Sequence, residues 1–232
     1  VIEPDTVIKK NCSIRARSII KRYTHMGQKN QILEGAVLGG PPQDFNFKES
    51  PSFLRIGNRN VFGEGTTAHR SVSPHGSTNI GNDNIFKAYA HVAHDCLVGN
   101  KTVIGNHVSL AGHVSVESFA NILSGAVIHQ FCQVGMYSRV GLNCKVQQDI
   151  LPFCIVEGVP GRVCGLNQET LKHAQFSHID ITNLQKALEI LSRRNLKLSK
   201  KLAFLSELNC KPVYHLVSFI EKTQRGIAKI QL

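Results

Sequence analysis

Apolar residues recur at every sixth position over most of the chain. Between residues 80 and 146 all twelve positions of this frame are apolar, namely Ile80, Phe86, Val92, Val98, Ile104, Leu110, Val116, Ile122, Ile128, Val134, Val140 and Val146. The frame is also apolar from Ile2 to Ile32, and again at Ile56 and Phe62. An α-helix repeats at 3.6 residues and a strand at two, so neither alone produces a period of six. This period is typical of the hexapeptide repeats that build a parallel β-helix.

Three hexads, or 18 residues, are expected to form one triangular coil. The apolar residue of each hexad points inward, and a small residue four positions later fits near the corner. Cys12, Cys96, Cys132 and Cys144 occupy this small position, so we expect them to be buried structural thiols. Glycine and asparagine pairs such as Gly105-Asn106 suit turns with unusual backbone dihedral angles. The predicted fold is an all-β solenoid, a left-handed parallel β-helix over residues 1–166.

Two stretches interrupt the hexad pattern, and a third region, at the C-terminal end, has a different pattern. Residues 39–53 and 71–78 are rich in Gly, Pro and Ser and are predicted to be loop excursions. Beyond Gly158 the apolar spacing becomes helical. Ser177 and Asp180 resemble a capping box, and a last helix is expected near Pro212. Residues 167–232 are therefore predicted to form a small C-terminal α-helical domain.

Charge and composition limit the kinds of binding partner and the cellular location that we expect. The formal net charge of +11 favours an acidic partner, but aromatic residues are only 6% and no nucleic-acid motif is present, so nucleic-acid binding is not expected. No apolar run is long enough to cross a bilayer, which argues against stable membrane insertion. Seven cysteines without a CxxC pair argue against a disulfide framework. With no secretory signal near Val1, we expect a cytoplasmic location.

Histidines cluster where the 18-residue period brings coils together. His94 is predicted to lie under Gly112, which lies under Gln130, and Asp95 under His113. His129 adjoins Gln130, and His91 precedes His94 by three residues. These side chains should therefore converge across about two coils.

Such a cluster suits acyl transfer. A neutral histidine can take a proton from a sugar hydroxyl, which makes His94 the candidate base. Gly112 can offer its backbone N–H to a developing oxyanion, and Gln130 can bind a substrate amide or hydroxyl. Asp95 either orients and charge-stabilises an imidazole or points away from it. For each histidine taken singly, an exposed position on a groove wall is the alternative.

A zinc site is a further alternative that the spacing disfavours. The pairs 91/94, 107/113 and 113/129 do not match the five-residue spacing of the gamma-class carbonic anhydrases, which are also β-helical. We therefore expect no metal.

The motifs around the cluster resemble one family, the UDP-N-acetylglucosamine O-acyltransferases, which catalyse the first step of lipid A biosynthesis. The resemblance is carried by Ala90-His91-Val92-Ala93-His94-Asp95-Cys96, Leu110-Ala111-Gly112-His113-Val114, His129-Gln130-Phe131-Cys132, Pro42-Gln43-Asp44, His69-Arg70, Gln148-Asp149, Gly165-Leu166-Asn167 and Arg225-Gly226. It covers nearly the whole chain, although the N-terminus is shorter than the family leads us to expect.

The resemblance implies a homotrimer with active sites between neighbouring β-helices. It implies that a 3-hydroxyacyl group passes from acyl carrier protein to UDP-N-acetylglucosamine without any cofactor. His94 would be the general base and Gly112 the oxyanion donor. The implied substrate-binding residues are Gln43, Asp44, His69, His91, His113, His129, Gln130, Asn167, Glu169 and His173.

The sequence departs from the family pattern at four positions. Asn46 stands where the family usually has Lys, and His173 where an Arg usually meets the nucleotide. Ser124 replaces a glycine of the acyl-chain groove, and Arg139 stands where the family gauges acyl length. An Arg there should shorten the groove or favour a polar tail. The alternatives are an N- or O-acyltransferase for another nucleotide sugar and a non-catalytic β-helix scaffold.

Overall fold

The hexads form a left-handed parallel β-helix with three sheets, as the sequence predicts. In this computed structural model, which covers residues 1–232, Ile80, Val98, Val116 and Val134 pair in register, so one coil takes 18 residues. From Ile20 onward the inward-facing apolar residue of each hexad is buried, for example Val92, Leu110 and Ile128 at 0% exposure. Short strands joined by turns are what a six-residue repeat with one inward-facing apolar residue and one small corner residue requires.

Each sheet runs along one side of the triangle. The first sheet holds β1 (Val7–Ile8), β4 (Thr24–Met26), β7 (Phe53–Ile56), β10 (Ser77–Ile80), β13 (Leu97–Val98), β16 (Ser115–Val116) and β19 (Gln133–Val134). The second holds β2 (Ser13–Ile14), β5 (Gln31–Ile32), β8 (Val61–Phe62), β11 (Ile85–Phe86), β14 (Val103–Ile104), β17 (Asn121–Ile122), β20 (Arg139–Val140), β22 (Cys154–Glu157) and β23 (Arg162–Leu166). The third holds β3 (Ile19–Ile20), β6 (Val37–Gly40), β9 (Thr67–His69), β12 (His91–Val92), β15 (Ser109–Leu110), β18 (Val127–Ile128) and β21 (Lys145–Val146).

Two excursions leave the coils, and both are shorter than predicted. Residues 41–52 separate β6 from β7, because Gly39 and Gly40 still belong to β6 and Phe53 already belongs to β7. Residues 71–76 separate β9 from β10, because Ser77 and Thr78 continue the first sheet. The excursions lie against each other, since the His75 N–H donates to the Pro51 carbonyl at 2.7 Å.

Four helices follow the last strand, which ends at Leu166. They are α1 (Gln168–His173), α2 (His178–Ser192), α3 (Leu198–Ser206) and α4 (Lys211–Glu221). The predicted cap of α2 is present, because Ser177 Oγ accepts a hydrogen bond from the Asp180 N–H. The six-residue α1 was not predicted. No helix has the combined length and apolar character that crossing a bilayer requires.

The helices and the β-helix share one hydrophobic core. Leu171, Leu184 and Leu216 belong to the same buried cluster as the inward residues of the coils. After α4 the chain returns to the β-helix, where the Asp149 N–H donates to the Gly226 carbonyl at 2.8 Å. His215 of α4 also bonds Glu117 at 2.9 Å. The helical region therefore packs on the last coils rather than standing apart.

Three of the four cysteines at the small hexad position are buried, as predicted. Cys96, Cys132 and Cys144 are buried, and burial raises the pKa of the Cys96 thiol to about 12. Cys12 is only half-buried, contrary to expectation, and it lies on an end coil of residues 1–232 that packs against one neighbouring coil.

Candidate active site

One corner of the β-helix carries the three predicted catalytic residues and two of the predicted substrate-binding residues. We call it the histidine corner and define it as the stacked turns His94-Asp95, Gly112-His113 and Gln130-Phe131, which follow β12, β15 and β18. The His113 N–H donates to the His94 carbonyl at 3.0 Å, and the Phe131 N–H donates to the Gly112 carbonyl at 3.1 Å. The 18-residue stacking inferred from the sequence therefore places these turns on one another.

His94 and Asp95 form a hydrogen-bonded pair. His94 Nδ1 lies 2.9 Å from Asp95 Oδ2, and both side chains are only 14% exposed. An ionised carboxylate only accepts hydrogen bonds, so His94 Nδ1 carries the proton and Nε2 keeps a free lone pair. The pair thus directs the Nδ1 proton to Asp95 and leaves the outer nitrogen to accept a proton from a ligand.

The Asp95 carboxylate is held in its charged form. Burial on its own would raise the pKa of this carboxyl, but hydrogen bonds from Ser71 Oγ, the Val72 N–H and His94 outweigh burial and lower the pKa. The Val72 N–H lies 3.0 Å from Asp95 Oδ2. Asp95 itself adopts a left-handed backbone conformation, with φ at 58°, which turns its side chain toward His94 and the 71–76 excursion. Asp95 therefore does not point away from the imidazole.

His113 completes one wall of the corner. Its Nε2 lies 3.9 Å from Asp95 Oδ2, and its ring meets the His94 ring edge-on at 5.3 Å between centroids. The His113 ring also stacks on Phe131, with 4.7 Å between the ring centroids. With 37% of its side chain exposed, His113 can reach a ligand that contacts His94.

His91 and His69 lie beside the corner on the third sheet. Their rings are 5.2 Å apart, and His91 Nδ1 shares a 2.8 Å hydrogen bond with Thr67 Oγ1. Burial, together with the neighbouring histidines His69 and His94, lowers the pKa of His91 to about 4. Burial also lowers the pKa of His69, whose Nδ1–H donates to the Pro41 carbonyl at 2.6 Å. Both rings are therefore neutral hydrogen-bonding groups near pH 7.

Gly112 packs directly against the imidazole of His94. A Cβ atom at this position would lie 2.5 Å from His94 Cε1 and 2.7 Å from Nε2, closer than van der Waals contact allows. The Gly112 N–H donates to no backbone or side-chain group of the chain. A proton acceptor and a free N–H donor thus lie side by side, the combination that acyl transfer through an oxyanion requires.

The excursions supply further predicted residues. Gln43 and Asp44 are exposed in the 41–52 excursion, and Asp44 Oδ1 accepts a hydrogen bond from the Asn46 N–H at 2.7 Å. Asp44 and Asn46 line a cleft of about 380 Å³ whose other wall includes Val72 and Pro74. His69 connects this excursion to the third sheet through Pro41.

Comparisons with known proteins point to one family. A sequence profile described as UDP-N-acetylglucosamine O-acyltransferase, domain 2, matches residues 149–228, and a bacterial transferase hexapeptide profile matches residues 77–112. An acyl-[acyl-carrier-protein]–UDP-N-acetylglucosamine O-acyltransferase from Burkholderia orbicola is 37% identical over 211 residues, covering 88% of this chain and 80% of the relative. The chain belongs to the UDP-N-acetylglucosamine O-acyltransferase family.

Other members of the UDP-N-acetylglucosamine O-acyltransferase family support the same assignment. The protein of the same name from Gloeothece citriformis is 36% identical over 206 residues, covering 88% of this chain and 75% of the relative. The crystal structure of a UDP-N-acetylglucosamine acyltransferase from Bacteroides fragilis superposes with a TM-score of 0.93 at 31% identity, covering 98% of this chain and 97% of that one.

Other residues singled out by the resemblance to the UDP-N-acetylglucosamine O-acyltransferase family lie away from the histidine corner. Asn167 is only 3% exposed, and its Nδ2 donates to the Tyr137 carbonyl at 2.9 Å, at a different corner of the triangle. Glu169 and His173 are exposed on the adjoining α1. Arg139 projects from the second sheet between Asn121 and Ile155. Ser124 and Gly125 form the turn between β17 and β18.

His129 and Gln130 follow β18, on the coil next to Gly112. The His129 N–H donates to the Val146 carbonyl at 2.9 Å, and Gln130 is exposed. A single chain therefore gathers one set of the predicted residues, namely His91, His94, Asp95, Gly112, His113, His129 and Gln130. The other set lies elsewhere on the same chain, namely Asn167, Glu169, His173, Ser124 and Arg139.

The sequence did not predict the residues that hold the His94–Asp95 pair in place. Ser71 and Val72 bond the Asp95 carboxylate, and Thr78 Oγ1 accepts the Asp95 N–H at 2.7 Å. The 18-residue period could not reveal Ser71 or Val72, because the excursion breaks the register there. The only sequence signal was their position directly after the His69-Arg70 motif.

His94, Asp95 and His113 are also the one group able to offer three metal ligands, with ligand atoms within 4.8 Å of one another. However, both oxygens of Asp95 already accept hydrogen bonds, Oδ1 from Ser71 and Oδ2 from Val72 and His94. A metal ion bound by these three residues would have to displace the hydrogen bonds that the Asp95 carboxylate already accepts.

Proposed function

We propose that this chain transfers a 3-hydroxyacyl group from acyl carrier protein to the 3-hydroxyl of UDP-N-acetylglucosamine, the first step of lipid A biosynthesis. The observation that carries the proposal is the His94–Asp95 pair beside the free N–H of Gly112. Family membership supports the substrates, because the relatives are named for acyl carrier protein and UDP-N-acetylglucosamine.

The proposed chemistry uses His94 as the general base. His94 Nε2 takes the proton of the sugar hydroxyl while its oxygen forms a bond to the thioester carbonyl carbon. The carbonyl oxygen becomes an oxyanion that accepts a hydrogen bond from the Gly112 N–H. When the intermediate collapses, the C–S bond breaks and the thiolate leaves with the proton that His94 returns. Asp95 stabilises the transient imidazolium and holds its ring.

The remaining predicted residues fit a site shared between chains. Glu169 and His173 lie on α1, beside a corner of the triangle that is not the histidine corner. A homotrimer with clefts between β-helices would bring α1 of one chain to the histidine corner of its neighbour. Exposed apolar residues beside this corner, Leu97 at 51% and Val127 at 44%, support such a contact. Sedimentation of the purified protein measures the state directly, and a monomer would contradict it.

The charge supports the proposed donor. The net charge of +11 complements an acidic carrier protein, and no cofactor is required because the acyl group arrives activated as a thioester. Seven cysteines without any disulfide support the proposal of a cytoplasmic location.

A mass-spectrometric assay tests this function. UDP-N-acetylglucosamine is offered with 3-hydroxyacyl carrier proteins of several chain lengths, and the expected product has gained one hydroxyacyl group. We expect short or polar-tailed chains to react best, and Arg139→Gly to extend the accepted length. No product with any chain from a folded protein would overturn the proposal, whereas transfer only to another nucleotide sugar would favour the alternative acceptor.

A further inference from the structure

Ser71 connects the Asp95 carboxylate to both loop excursions. Its side chain is fully buried, although it opens a surface excursion. Ser71 Oγ donates to Asp95 Oδ1 and accepts a hydrogen bond from the Ser73 N–H at 3.0 Å. The adjacent Val72 N–H donates to the second carboxylate oxygen at 3.0 Å. Two consecutive residues therefore fix both oxygens of the group that orients His94.

The preceding residue anchors this contact to the 41–52 excursion. Arg70 is only 2% exposed, and its guanidinium donates to the Ser50 carbonyl at 2.7 Å, to Ser52 Oγ at 3.0 Å and to Glu49 Oε1 at 2.6 Å. Ser52 Oγ in turn donates to the Ser71 carbonyl at 2.6 Å. The backbone of Ser71 is thus held by the excursion that carries Asp44.

We propose that Ser71 is a positioning residue for acyl transfer, which holds the Asp95 carboxylate against His94 Nδ1, and that Arg70 and Ser52 fix Ser71 in place. The inference rests on the proposed function for its kinetic consequence. Ser71 itself contacts no reacting atom; it acts through Asp95. Without the Ser71 hydroxyl, the Asp95 carboxylate loses the hydrogen bond on Oδ1 that sets its rotation. His94 then loses a fixed hydrogen-bond partner.

The test compares Ser71→Ala with Ser73→Ala, a matched substitution in the same excursion whose side chain is exposed and makes no hydrogen bond. We expect Ser71→Ala to lower kcat roughly tenfold, to leave the KM for UDP-N-acetylglucosamine within about twofold, and Ser73→Ala to change neither.

A nitrogen nuclear magnetic resonance spectrum of the His94 ring gives a readout that needs no activity. In the native chain and in Ser73→Ala the ring proton should stay on Nδ1, whereas in Ser71→Ala part of the population should carry it on Nε2, because the Asp95 carboxylate that holds the Nδ1 proton is no longer fixed. An inactive native chain whose spectrum changes as expected in Ser71→Ala would overturn the proposed function but retain the positioning role. An unchanged His94 spectrum in Ser71→Ala would overturn the positioning role.

A double-mutant cycle separates positioning from a general loss of structure. In an Asp95→Asn background, Ser71→Ala should cost little further activity, because both changes remove the same support. A full additional loss would overturn the proposal. If Ser71→Ala does not fold, Ser71→Cys, which keeps the side-chain volume with a weak donor, takes its place.

Discussion

Gly112 shows how one residue defines the reaction geometry. Its missing side chain leaves room for the His94 ring, which the Asp95 bond holds in place. The 18-residue period predicted that His94 and Gly112 would stack. It could not predict the direction of Asp95, which depends on the left-handed conformation of that residue and on bonds from Ser71 and Val72. A repeat period locates a residue in a coil, but contacts outside the repeat decide where its side chain points.

Gly112→Ala should inactivate the enzyme without unfolding it. The added methyl would lie 2.5 Å from His94 Cε1, so the ring must leave its position, while no backbone atom is among its three nearest contacts. We expect acyl transfer to fall roughly 10²-fold, the usual contribution of a positioned base. Gly165→Ala is the matched control, because nothing lies within 4 Å of its added Cβ. Equal activity of both variants would show that the His94 position is not critical.

A ladder of buried asparagines supports the coils at the scale of the element. Asn30, Asn60 and Asn84 are fully buried and stack at successive turns. Asn60 Oδ1 accepts the Asn84 N–H at 2.9 Å, while Asn60 Nδ2 donates to the Gly81 carbonyl at 2.9 Å. These residues occupy the position, four after the apolar one, where the sequence elsewhere has small residues. Asparagine is tolerated there because its amide satisfies backbone groups that the turns leave unpaired.

Asn60→Leu should destabilise the fold. The substitution keeps the approximate volume but leaves the Asn84 N–H and the Gly81 carbonyl without these partners. We expect the free energy of unfolding to fall by about 3 kcal/mol, since a buried polar group left unpaired costs about 1–3 kcal/mol. Urea unfolding measures the change, with the exposed Asn195→Ala as control. A loss no greater than that of the control would contradict a supporting role for the ladder.

The hexads predicted the sheets and their register, but the role of glycine differs from the expectation. In the Gly105-Asn106 and Gly81-Asn82 pairs, the positive φ falls on the next residues, His107 and Asp83. Glycine is needed because a Cβ at Gly81 would lie 2.4 Å from the Gly99 carbonyl oxygen of the neighbouring coil. Spacing between coils is a tertiary property, so local turn preferences could not reveal it.

At the scale of the whole molecule, the β-helix separates groups that the proposed reaction must bring together. The histidine corner carries the proton-transfer pair, whereas α1 lies at another corner with Glu169 and His173. The family motifs in the sequence predicted both the histidine corner and the residues on α1 as parts of the site. The sequence of one chain could not show that these two groups lie at different corners of the β-helix. Six-residue α1 was also missed, because so short a helix has little periodicity to detect. The proposed homotrimer, with its site shared between copies, would bring the two sets together.

The comparison of the native chain with His94→Ala in the acyl-transfer assay tests the account most directly. The native chain should add one hydroxyacyl group to UDP-N-acetylglucosamine, and His94→Ala should do so at least about 10²-fold more slowly. The variant should keep the native melting temperature and its binding of UDP-N-acetylglucosamine, because His94 lies at the surface of a coil rather than in its core. A variant as active as the native chain, or a native chain that forms no product with any carrier protein, would contradict it.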